Sequence, residues 1–337
     1  MNKIHQRDRL ADCLKGYACL LVVFGHVIMG VRHAGVNTPI FSEHLETFIW
    51  SFHVPLFMFL SGYVYHITGD WKSQGTRLRF TLHKLLNLGV PYFVFAAVYL
   101  AINSITPGVN TQGSFMEILF LWRTPQAQYW FLYALLVLFV LYAVLSGAMK
   151  NWQITLTLVL AAYIAPLFKV SFGSFATAFS MALAFGIGAS LPSLTIDKLS
   201  VFGRFLIIAG HICVAGLTIY LGISELSLIS EILMVIGISA SIALISLIVK
   251  SKPVEGVLLF INRYSFPIYL LHTVFTAGIR IVLLRAGIGN YVIHVIAGMI
   301  MGIGIPFIIA WVTDKIPVVD FLFYPSKNIR RLKNKEI

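Results

Sequence analysis

The chain has 337 residues, of which 58% are hydrophobic and only 11% charged, and its mean hydropathy is +0.87. So few charges, against the roughly 25% usual in a globular domain, cannot cover a soluble surface; soluble, disordered and disulfide-scaffold classes are excluded and a polytopic membrane protein is left. The net charge of +12 belongs to the loops of such a chain rather than to a nucleic-acid surface, because no basic patch is interleaved with stacking aromatics.

In chain order, apolar stretches predict ten transmembrane helices near 14–33, 46–66, 84–105, 129–148, 152–169, 175–192, 204–222, 227–249, 264–285 and 291–313. Each is near the ~20 residues that cross ~30 Å of hydrocarbon. The first follows a short basic N-terminus, but it contains His26 and lacks an A-x-A site, so it reads as a retained helix rather than a signal peptide. With the N-terminus inside, only Arg32, Arg123, Lys169, Arg280 and Arg285 fall on the outer side or within the membrane, which leaves 20 of the 25 Lys and Arg inside. That asymmetry supports an all-α integral membrane protein with both termini cytoplasmic. The expected organisation is a polytopic membrane domain over 1–313 and a short basic cytoplasmic tail over 314–337, lying on anionic lipid. The outer loop at 106–128 carries an apolar patch, Phe115 to Leu121, that reads as a re-entrant or interfacial helix. Cys13, Cys19 and Cys213 have neither metal-ligand nor disulfide-framework spacing, so no metal site is expected.

Ionisable groups inside membrane helices cost a few kcal/mol and are functional candidates. In the first helix Lys15 and His26 are eleven residues apart. That is ~20° beyond three turns, so both share one face, separated axially by ~16 Å. Asp12, Cys19 and Val22 lie on the same stripe. In the second helix His53 stands at a depth similar to His26, and Pro55 predicts a kink. The ninth helix carries Tyr269, His272 and Arg280. Blander readings stand beside these. A membrane histidine is often a packing residue, Lys15 alone is a snorkelling anchor, and Arg77, Arg79, His83 and Lys84 alone are orientation charges. The agreement in depth of His26 and His53 favours chemistry. Neutral imidazole takes a proton from a hydroxyl attacking a carbonyl, and a basic mouth suits a phosphorylated or nucleotide-bearing substrate. The residues alone point to group transfer across part of the membrane, and leave open a transporter or flippase of a lipid-linked sugar.

Four segments resemble the membrane-bound acyltransferase 3 family, which includes bacterial O-antigen and exopolysaccharide O-acetyltransferases. They are Asp12 to Gly16 with Leu20 to His26, Phe52 to Tyr63, Tyr129 to Leu135, and Asn262 to His272, in the family's order. The resemblance implies an O-acyltransferase of a bacterial cytoplasmic (inner) membrane. Its donor is an acyl-CoA, most often acetyl-CoA, acting as co-substrate with no tightly bound cofactor. Its acceptor is the hydroxyl of a surface glycan or lipid-linked precursor. His26 matches the essential first-helix histidine, and Lys15 stands at the basic position eleven residues earlier, usually Arg. Lys84 aligns with the first Arg of the basic motif before the third helix. Asn87 stands where a second belongs, and Arg77 and Arg79 are expected to replace that charge. Acyl-CoA is expected to dock on Lys15, Arg77, Arg79 and Lys84. His26 is expected to act as the base or to accept the acyl group briefly itself, with His53 or Trp130 orienting substrate or stabilising the oxyanion. Tyr269 and His272 are expected to support the site, and Asp12 to pair with Lys15 or Arg9. The chain is too short for the outer esterase-like domain of some relatives, so transfer is expected to finish within the membrane domain.

Overall fold

The computed structural model describes residues 8–68, 75–194, 196, 199–224 and 227–333. Among the described residues all regular structure is helical, and nine helices are long and apolar enough to span a membrane, ten if a bent pair forms one span. Lys3, Arg7, Lys72, Lys198 and Lys335, counted among the inside charges, lie outside the described residues.

Helix α1 (Arg9–His33) starts where Asp8 caps it, accepting from the Ala11 amide at 3.0 Å, and the Tyr63 hydroxyl donates to the other Asp8 oxygen at 2.6 Å. The second span is broken into α2 (Phe41–Trp50) and α3 (His53–Thr68). The break at Ser51–Phe52 falls before Pro55, not at it. Pro55 has no N–H to return to the Ser51 carbonyl, so the ladder opens one turn upstream, and His53 becomes the first residue of α3. The third span is α4 (Arg77–Lys84) and α5 (Val90–Ile105), joined by a π-helical turn at Leu85–Gly89. Pro91 explains it in the same way: the Asn87 carbonyl loses its helical donor and the turn widens. The apolar patch of the outer loop forms a 3₁₀ turn, Phe115–Phe120, with Phe115, Met116, Leu119 and Phe120 exposed.

Helices α6 (Trp130–Leu145) and α7 (Asn151–Ile164) follow as separate spans. The sixth predicted span is α8 (Ala176–Ser180) and α9 (Ala182–Ser190), whose segments bend by 43°. Then come α10 (Val201–Tyr220), α11 (Ser227–Ile248), α12 (Lys252–Arg285) and α13 (Tyr291–Thr313). α12 begins twelve residues before the predicted 264, with Pro253 in its first turn. Lys252, Glu255 and Arg263 make this stretch polar enough to read as loop. Yet Leu258 and Ile261 are buried along it, and the helix of 34 residues outreaches the hydrocarbon.

The tail folds into α14 (Pro317–Phe323) and α15 (Pro325–Lys333) and packs on the bundle. Asp320, Phe323 and Asn328 are buried there, and Asn328 donates to Asp320 at 2.8 Å. Lys327 and Arg331 both pair with Asp314 and Asp320.

α1 packs against α12, α13, α3 and α11. Small residues set how close these helices come, as expected where lipid gives no hydrophobic drive for helix association. A Cβ at Gly16 would collide with the Leu258 carbonyl on α12, and one at Gly62 with the Phe185 carbonyl on α9. Side chains such as Phe202, Phe205, Leu206 and Ile212 of α10 stay exposed, the pattern of a lipid-facing surface.

Candidate active site

α1, the end of α2, α3, the π turn, α6 and α12 surround a cavity of about 190 Å³. Lys15 and His26 both line it, as their shared helical face predicts, and so do Trp130 and Tyr269. Its walls are mostly apolar and aromatic: Phe57, Phe131 and Phe266 join Trp50 and Trp130. Gln128 supplies an amide, held by donation to the Thr273 hydroxyl at 2.7 Å. Two tyrosines fix this wall across chain-distant segments. Tyr269 donates to the Gln128 carbonyl at 2.6 Å, and Tyr129 to the Leu270 carbonyl at 2.7 Å.

Three histidines gather at the end opposite Lys15. The His26 and His272 rings meet edge-on at 4.9 Å, and Trp50 stands 5.3 Å from His26 and 5.0 Å from His53. All three rings bond through Nδ1 to carbonyls of the preceding turn: His26 to Val22 at 2.9 Å, His53 to Ile49 at 2.8 Å, and His272 to Ile268 at 3.0 Å. A carbonyl only accepts, so Nδ1 carries the proton, and the neutral ring keeps its lone pair on Nε2. His26 alone of the three lines the cavity and is partly exposed; His53 and His272 are fully buried behind it. Trp50 Nε1, His53 Nε2 and His272 Nε2 are buried without a protein hydrogen-bond partner. Each such orphan costs ~1–3 kcal/mol.

The other expected residues fall in different places. Asp12 is buried and accepts from Asn262 at 3.0 Å, tying α1 to α12, while Arg9 pairs with Glu255 at 2.8 Å. Lys84 stacks 3.8 Å above the Phe139 ring and lines a second cavity of about 360 Å³ with His83, Asn87, Leu88, Lys327 and Arg330. Arg77 and Arg79 are exposed on the first turn of α4 and are absent from both linings. His211 and His294 serve packing, the first between Phe48 and Phe52, the second bonded to the Ile288 carbonyl at 2.8 Å.

Sequence reasoning passed over Trp50, Gln128, Lys327 and Arg330. Trp50 at a helix end is indistinguishable from an interfacial belt tryptophan, and the tail cations were absorbed into a basic composition. The Nδ1 bonds themselves have a sequence signal only in the helix, which places a carbonyl four residues before each histidine.

A histidine with a free Nε2 lone pair, an aromatic-lined cavity and a lysine at its other end, inside a helical bundle, are the parts a membrane-embedded group-transfer enzyme needs. The acyltransferase domain family known as acyltransferase 3 matches residues 10–311, and the chain belongs to it and is an acyltransferase. The chain is 26% identical over 197 residues to nodulation protein NolL of Mesorhizobium japonicum (strain LMG 29417), 54% of this chain and 50% of that protein. It is 28% identical over 142 residues to nodulation protein NolL of Sinorhizobium fredii (strain NBRC 101917), 41% of this chain and 36% of that protein. The matches thus span half or less of these curated relatives. No solved structure matches the chain significantly.

Proposed function

We propose that the protein is an O-acyltransferase of a bacterial cytoplasmic membrane that moves an acetyl group from acetyl-CoA to a hydroxyl of a surface glycan or its lipid-linked precursor. The observation that carries this reading is the single cavity with Lys15 at one end and the Nδ1-anchored His26 at the other. The axial gap of ~16 Å suits a pantetheine arm lying between a phosphate-binding mouth and the reacting carbonyl. Aromatic walls at Trp50, Trp130 and Tyr269 suit the apolar faces of a sugar ring.

In the proposed reaction His26 Nε2 takes the proton of the acceptor hydroxyl as its oxygen attacks the thioester carbonyl. The tetrahedral intermediate expels the CoA thiolate, and His26 returns the proton to that sulfur. The Trp50 indole N–H, unpartnered beside His26, is the proposed donor to the developing oxyanion. His53 and His272 are assigned as positioning residues, packed on Trp50 and His26. Lys15 and Lys84 are assigned to the donor, with Arg77 and Arg79 adding positive field around the mouth.

The test is expression in a host lacking surface-glycan acylation, beside His26→Ala at equal membrane abundance, with ester-linked acyl groups measured by mass spectrometry. Acylation by the parent protein alone is expected. Equal acylation in both removes His26 from the mechanism. The absence of acetyl-CoA turnover by membranes containing the parent protein rejects the donor.

A further inference from the structure

The second cavity is built by two segments far apart in sequence, together with Phe139 of α6. α4 and the π turn give His83, Lys84, Asn87 and Leu88; α15 gives Ser326, Lys327 and Arg330. Four basic side chains line it, and the charge of one of them, Lys327, is balanced from outside the cavity. The Lys327 ammonium pairs with the Asp314 and Asp320 carboxylates at 2.5 and 2.9 Å, which tethers α15, while Arg330 is exposed. Asn87 clamps the two segments together. Its amide donates to the Ser326 hydroxyl at 2.7 Å, and its oxygen accepts from the Ser326 backbone N–H at 3.2 Å. The same amide donates to the His83 carbonyl at 2.7 Å, so the clamp is anchored in α4. Asn328, buried and bonded to Asp320 and the Tyr324 carbonyl, keeps α15 in register. Leu88 lines this cavity and the one holding His26, so the two adjoin there.

We propose that α15 is part of the donor site: Arg330, brought to α4 by the Asn87–Ser326 clamp and held there by the Lys327 ion pairs, completes with His83 and Lys84 a cradle for the phosphates of a nucleotide-bearing acyl donor. Asn87 then has a purpose as it stands. It brings no charge, but it brings Arg330 of the tail to the cavity. The donor's arm passes Leu88 toward His26. Identifying the donor as acyl-CoA rests on the function proposed above; the phosphate cradle itself does not.

The test uses the full chain in nanodiscs of zwitterionic lipid, with CoA and S-acetylpantetheine, which lacks the nucleotide phosphates, titrated calorimetrically. Arg330→Gln is expected to weaken CoA about tenfold, the loss of one charge-assisted phosphate contact. Asn87→Ala, which removes the clamp and no charge, weakens CoA as well. The ratio of CoA to S-acetylpantetheine affinity falls in each variant. Unchanged CoA binding, or equal loss of both ligands, overturns the proposal. If the parent protein binds no CoA, the acyl-CoA reading fails. Adenosine 3′,5′-bisphosphate then decides the cradle: binding lost in Arg330→Gln sustains it, and no binding overturns it. Competition by phosphatidylglycerol added to the nanodiscs assigns the cations to a lipid headgroup and overturns the donor site.

Discussion

The two cavities that meet at Leu88 use opposite chemistry. In the cavity of His26 the side chains other than Lys15 are aromatic or neutral, the imidazoles are pinned by backbone carbonyls, and polar atoms are left unpartnered. Around Lys84 the lining is basic, the π turn opens the backbone, and a tail helix is held by hydrogen bonds and ion pairs. A proton-transfer site gains from low dielectric, where each dipole counts for more. A phosphate site gains from a wide field of positive charge that draws the ligand in. Lys15 shares the cavity of His26 but stands at its far end, ~16 Å away along α1, so that water admitted with the phosphates stays away from the oxyanion donors it would screen.

If this division holds, variants near His26 change kcat and variants near Lys84 change the donor KM. His26→Ala is expected to lower kcat about 10³-fold at unchanged donor affinity, measured by labelled acetyl transfer in membranes. Trp50→Phe keeps the ring and deletes the N–H, and is expected to lower kcat about 10²-fold. An unchanged kcat there would move the oxyanion donor elsewhere. Lys84→Gln is expected to raise the donor KM about tenfold, with the effect confined mainly to KM; a loss mainly in kcat would erase the division. The smallest effect concerns acid. The hydrogen bond from Lys327 holds the Asp314 carboxyl below its ordinary value of 3.8. A depressed carboxylate stabilises tail docking at every pH above 3.8, and that stabilisation is lost as pH falls through the lowered value. A fluorophore at the C-terminus should therefore report a docked tail from neutral pH down to about pH 5, and loosening only below the ordinary value. Loosening between neutral pH and pH 5 would assign docking to other groups.

The sequence made the chemistry of α1 legible because a single helix carries it. Eleven residues fix the shared face of Lys15 and His26 whatever the rest of the fold does. The span count was legible for the same reason, since hydropathy is local. Features that depend on two segments were not. Pro55 and Pro91 announce breaks, but only packing decides that the first opens at Ser51 and the second widens into a π turn. Asn87 reads as a lost arginine until Ser326 is seen beside it. His272 and Trp50 lie far from His26 in the chain and meet it only through the packing of α12 and α2.

The central claim is that His26 performs the chemistry without holding the donor. The most direct measurement takes one nanodisc preparation of His26→Ala and follows both CoA binding and acetyl transfer to extracted glycan. CoA affinity equal to that of the parent protein, with transfer reduced about 10³-fold, is the predicted result. Transfer at the parent rate, or loss of CoA binding in proportion to loss of transfer, would contradict it.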